Sequence, residues 1–157
     1  MISKKINIIS ILLISTLIVS CGYKRMVSSQ PLIHIQNINI KGENRISYLL
    51  KNNITLISNK DSTDKYDVII DLKKDRQNKI KNKQGKITRY TLNINAELIL
   101  TNNINKKVIN RSFSKKGDYE VAIVHSETIN NEKSATENIM QQLSDEIINF
   151  ITFLNTN

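Results

Sequence analysis

Few residues in this chain have types and spacings that could do chemistry. There are two histidines, His34 and His125, and one cysteine, Cys21. His34 lies in an isoleucine-rich alternating stretch and is expected on a strand face. His125 stands beside Ser126 and Glu127, but no nucleophile elbow and no glycine-rich oxyanion loop accompanies them. Asp61, Asp64, Asp71 and Asp75 lack the spacing of a calcium-binding loop and are interleaved with lysines. The four glycines are scattered, so no phosphate-cradling loop is present. A lone cysteine excludes a disulfide framework and a cysteine-rich zinc site. No catalysis and no cofactor are expected from this inventory.

Cys21 itself has a chemical setting. Lys4 and Lys5 form a short basic segment, followed by an apolar run from Ile6 to Val19. That run is short for a membrane-spanning helix, which needs about 20 apolar residues. It has the form of a secretory signal. It closes on Ile18-Val19-Ser20-Cys21, the pattern of a bacterial lipobox. Signal peptidase II needs a small residue before the scissile bond and a thiol to carry diacylglycerol. The expected organisation is a signal peptide over 1–20, a lipidated tether over 21–31 and one domain over 32–157. Gly22, rather than Asp, follows the cysteine, which permits sorting to the outer membrane.

The charge must be judged against that address. The chain has 157 residues and a net charge of +9, from 23 basic and 14 acidic side chains. Loss of Lys4 and Lys5 leaves +7. A cytosolic protein so basic would suggest nucleic acid. An exported lipoprotein instead meets phospholipid headgroups, lipopolysaccharide phosphates or an acidic partner, and no nucleic-acid partner is expected. Part of the lysine excess follows from composition: 28 Ile, 21 Asn and 18 Lys all use AT-rich codons.

The elements that would position these residues follow from periodicity. Leu32–Ile40 alternates, with a change of phase near Gln36-Asn37 that predicts a bulge. Gly42-Glu43-Asn44 ends the strand. Ile46, Leu49, Leu50, Ile54 and Ile57 form one helical stripe within Arg45–Ile57. Tyr66, Val68, Ile70 and Leu72 alternate with polar neighbours, a second strand. Lys73–Lys86, with seven basic residues and one acidic, is expected as a solvated hairpin loop. Its functional alternative is contact with a phosphorylated glycolipid. Tyr90, Leu92, Ile94, Ala96, Leu98 and Leu100 alternate with Arg89, Thr91, Asn93, Asn95 and Glu97. A sheet with one face on a core and one wet gives that pattern. Val108–Ser114 pairs back as a fourth strand, with Ile109, Arg111 and Phe113 on one face. Ile139, Met140, Leu143, Ile147, Phe150, Ile151 and Leu154 mark a terminal helix that starts near Ser126 or earlier. The fold class is α+β: a two-layer sandwich, order β-α-β-β-β-α. Its four-stranded, mostly antiparallel sheet carries both amphipathic helices on one face.

Several segments carry a resemblance when taken in order. They are Cys21-Gly22-Tyr23; Ile38–Ile40 with Arg45, Leu49 and Leu50; Tyr66-Asp67-Val68 to Leu72; Thr88, Arg89, Ala96 and Leu98; Asn110–Ser114; and Asn131–Ala135 into Gln142-Leu143 and Ile147. Together with the lipobox and the length, this order resembles the lipopolysaccharide-assembly lipoprotein LptE family in its alphaproteobacterial form. Asn131 and Ser144 depart from the alanines common there, and Phe113 replaces a tyrosine. The resemblance implies a lipid-anchored protein on the periplasmic face of the outer membrane. It implies a heterodimer with an LptD-like β-barrel, whose lumen it plugs, and non-catalytic binding of lipopolysaccharide. Arg89, Arg111, Lys106 and Lys107 are the candidate glycolipid or barrel contacts, on charge and position. The competing expectation is a structural periplasmic lipoprotein that binds another envelope protein or peptidoglycan.

Overall fold

The computed structural model describes residues 33–154. Cys21, the signal peptide and the tether lie outside the described residues. The elements are β1 (Ile33–Lys41), α1 (Asn44–Thr55), β2 (Asp64–Lys81), β3 (Ile87–Asn102), β4 (Val108–Glu120) and α2 (His125–Phe153). They form a four-stranded sheet in the order β1-β2-β3-β4. β1 runs parallel to β2, and the other two pairs are antiparallel. A parallel pair needs a crossover of a dozen or more residues, and α1 supplies it.

Both helices lie on one face of the sheet, over a core built by the expected alternation. Val68, Ile70 and Leu72 of β2 are buried, as are Leu92, Ile94, Ala96, Leu98 and Leu100 of β3. Ile46, Leu50 and Ile54 of α1 meet them, with Ile139, Met140, Leu143, Ile147 and Ile151 of α2. Burying one such side chain contributes about 1.5–3 kcal/mol. The register shift between Ile35 and Asn37 is the bulge expected near Gln36-Asn37. Gly42 ends β1 with φ at +135°. Its Cα packs against Leu72, leaving no room for a Cβ.

Two features differ from expectation. The basic stretch from Lys73 is not a loop as far as Lys81. It continues β2, paired residue by residue with β3 from Lys73↔Asn95 to Asn78↔Tyr90. Only residues 82–86 turn. The pairing holds because β3 is long and regular enough to template a partner without apolar residues. β4 likewise runs on from Ser114 to Glu120, templated from Asn95 back to Arg89. The facing expected for Ile109, Arg111 and Phe113 is observed. The apparent misfit of Arg111 is resolved because its guanidinium lies 5.5 Å from the ring centre of Phe150 on α2.

The molecule is therefore a long slab with two distinct ends. β2 spans about 55–60 Å at 3.3 Å per residue. Phe150 of α2 stacks edge-on against Phe113, which stands level with Leu72 in mid-sheet. α1 ends beside the start of β1, where Asn59 donates to the Ile33 carbonyl at 2.8 Å. The β3–β4 turn lies at this end too, since the Asn103 amide reaches the Lys65 carbonyl at 2.7 Å. The β2–β3 hairpin tip and the start of α2 form the opposite end.

Candidate functional site

Extending the inner-face alternation of β2 beyond Leu72 places Lys74 and Arg76 beneath α2. They meet Glu132 there. Lys74 Nζ lies 3.2 Å from Glu132 and 3.5 Å from Glu43, and Arg76 lies 3.7 Å from Glu132. The Tyr119 hydroxyl donates to Glu132 at 3.1 Å. Tyr90 stacks on Tyr119 with centroids 5.4 Å apart, and Arg76 lies 4.8 Å over the Tyr90 ring. The Arg76 guanidinium also donates to the Tyr119 oxygen at 3.4 Å, a long bond. That bond raises the Arg76 pKa further. Burial pushes the Tyr119 phenol up. These charges are consumed internally: they join the β2–β3 hairpin and α2 where the apolar core has ended. Sequence reasoning missed this cluster. The apolar alternation of β2 ends at Leu72, and no local pattern beyond it marks Lys74 and Arg76 as inward-facing.

Beyond the cluster the hairpin turns on Asn82. Its side-chain oxygen accepts from the Gln84 and Lys86 amides at 3.0 Å each, and Gly85 supplies φ of +80°. Lys81, Lys83 and Lys86 project from this tip without an acidic partner. Lys79, displaced by the irregularity between Asn78 and Ile80, pairs with Asp118. Thr91 donates to the same carboxylate at 2.7 Å. Those two hydrogen bonds hold the Asp118 carboxyl below its ordinary pKa. Exposed apolar side chains flank the tip: Ile80, Ile123 and Val124. The Val121 amide binds the Thr88 carbonyl at 2.9 Å and brings that loop alongside.

The four cations singled out from sequence do not form one patch. Arg89 lies at the hairpin end on the outer sheet face, paired with Glu120. Lys106 and Lys107 lie in the β3–β4 turn at the other end of β3, where Lys106 has φ of +60°. Asn102 organises that turn, accepting from the Ile104 amide at 2.8 Å. Arg111 is on the helix side. Arg89 and Thr101 stand twelve residue steps apart along β3, about 40 Å.

No described element covers the outer face of the sheet. Thr91, Asn93 and Asn95 lie there on β3, with Asn110, Ser112 and Ser114 on β4. Ser114 donates to Asn93 at 3.1 Å. One apolar pair interrupts the polar surface: Ile69 faces Ile99 directly across the β2–β3 ladder. They line a shallow concavity of about 400 Å³ with Lys41, Asp71, Glu97 and Asn110. No group of His, Cys, Asp and Glu suited to a metal ion occurs among the described residues. His34 lies on its strand face, and His125 opens α2 in an exposed position.

No family model and no curated protein matches the chain. Solved structures do match in fold. Rare lipoprotein B from Shewanella oneidensis has a TM-score of 0.60 at 12% identity, covering 77% of this chain and 97% of that one. A minor lipoprotein from Acinetobacter baumannii has a TM-score of 0.54 at 14% identity, covering 78% and 94%. Lipoprotein B from Nitrosomonas europaea has a TM-score of 0.60 at 8% identity, covering 83% and 91%. The chain thus shares its fold, over most of its length, with bacterial lipoproteins.

Proposed function

We propose that this protein is a lipid-anchored component of the outer membrane that plugs and supports an LptD-like β-barrel translocon. In that role it helps insert lipopolysaccharide without catalysing a reaction. The observation that carries the reading is the bare outer face of the sheet. β3 and β4 present Thr, Asn and Ser side chains to the surroundings, β2 presents Asp67, Asp71, Lys73 and Asp75, and no second layer covers them among the described residues. A wet barrel lumen is lined by polar side chains and offers no strand edge to pair with. A polar slab with its own core fits such a lumen as a rigid insert. The shared lipoprotein fold and the lipobox at Cys21 support the envelope location.

Of the four cations singled out from sequence, Arg89 belongs to the end that carries Lys81, Lys83 and Lys86. We place glycolipid contact at that end, where amines and exposed apolar side chains occur together. Arg111 stays a candidate barrel contact.

The test is a detergent pull-down of the acylated protein from membranes, with mass spectrometry of what accompanies it. A large β-barrel in roughly equal amount is the expected result. Absence of any barrel, with acylation at Cys21 confirmed, would favour binding of another envelope protein or peptidoglycan.

A further inference from the structure

The end of the slab at which the described chain begins also combines exposed apolar side chains with lysines. Leu56 is 80% exposed just past α1, and Ile104 is 61% exposed in the β3–β4 turn. Both lie at the end where β1 starts, since Ser58 bridges to Ile33 and the Asn103 amide reaches Lys65. Lys60, Lys65, Lys106 and Lys107 ring them, against Asp61 and Asp64. None of the four lysines has a carboxylate partner among the described residues. Apolar side chains inside a basic rim match the boundary between acyl chains and anionic headgroups.

We infer that, before a barrel takes the protein up, this end rests on the phospholipid bilayer that holds the acyl chains, with Leu56 and Ile104 dipping into its interface. The inference rests on the reading of Cys21 as acylated. Cys21 and Ile33 are twelve residue steps apart, a span of at most about 43 Å. The tether therefore holds this end, not the hairpin tip, close to the membrane. Such confinement raises the local concentration of membrane surface, so a small apolar contact suffices. The contact would fix the long axis of the slab away from the bilayer and point the tip lysines in the opposite direction.

The chain contains no tryptophan, so a single introduced indole reports alone. The full acylated protein carrying Leu56→Trp, Ile104→Trp or, at the far end, Ile123→Trp is reconstituted into phosphatidylethanolamine–phosphatidylglycerol vesicles. All three positions are exposed, and circular dichroism checks that each variant folds. The inference expects blue-shifted emission from Leu56→Trp and Ile104→Trp, and strong quenching by lipids brominated on their acyl chains. Ile123→Trp should keep water-like, unquenched emission. Vesicles that float with the protein while Leu56→Trp and Ile104→Trp stay unquenched would overturn the contact and leave the anchor intact. Protein that fails to float would instead overturn the anchor, and this inference with it. Quenching of Ile123→Trp alone would reverse the proposed orientation.

Discussion

Ile139 on α2 lies so close to Gly117 on β4 that a Cβ at residue 117 would stand 2.9 Å from two of its side-chain carbons. Glycine here serves close approach, since its backbone is ordinary strand. Gly117→Ala is expected to push α2 off β4 and to cost about 1–3 kcal/mol, the usual range for overpacking. Urea unfolding of the two proteins measures it. Trimming the partner in Gly117→Ala/Ile139→Val should recover part of the loss, which a backbone-entropy effect would not do.

Ser144 is fully buried on α2, and Asn53 on α1 donates to its hydroxyl at 3.1 Å. The LptE-like pattern places alanine there, so the departure carries its own partner. Ser144→Ala should cost about 0.5–1.5 kcal/mol, the net value of one such bond. In a double-mutant cycle with Asn53→Ala, the second substitution should cost less once the first is made. Equal and additive costs would show that the bond contributes nothing.

What could be read from the sequence tracks where apolar residues alternate. β3 carries its apolar period from Tyr90 to Leu100, so its core face was readable residue by residue. The stripe from Ile139 to Leu154 fixed the buried face of α2 in the same way. The second halves of β2 and β4 were not readable, because Lys73–Lys81 and Lys115–Glu120 hold their places by pairing with β3. Pairing across a ladder leaves no trace in the local composition of one strand. The site suffered for the same reason. Arg89 and Lys106 belong to one strand and the turn that follows it, and β3 carries them to opposite ends of the slab. Conversely, Arg76 and Glu132 are far apart in sequence and meet only because both chains of charge face inward. Charge alone identified candidates, and register decided their company.

Asp118 gives the outer face a pH dependence of known sign. Its carboxyl is held below 3.8 by hydrogen bonds from Lys79 and Thr91. A carboxylate with a depressed folded pKa binds fewer protons folded than unfolded at intermediate pH. Its stabilisation is complete above the unfolded value and is lost as pH falls through the folded one. The stability difference between native protein and Asp118→Asn should therefore be constant near neutrality and shrink below pH 3.8. Denaturant midpoints across that range test it. A difference that grows on acidification would contradict the assignment.

Glu132 is the acceptor that Lys74, Arg76 and Tyr119 share, and its side chain is 28% exposed. Glu132→Gln keeps the shape and removes the charge. Hydrogen bonds to charged groups contribute about 1.5–3 kcal/mol, and Lys74 retains Glu43, so a loss of about 1–2 kcal/mol is expected. The phenol supplies an independent readout. Burial is the largest cause of the raised Tyr119 pKa, and the Glu132 charge adds to it. Removing that charge should let Tyr119 ionise at lower pH than in the native protein. Ultraviolet titration of tyrosinate follows this directly, with Tyr119→Phe identifying the transition. Glu127→Gln, at the exposed first turn of the same helix, should change neither quantity. If Glu127→Gln and Glu132→Gln behaved alike, the effect would belong to the helix charge as a whole and not to the contact under the hairpin.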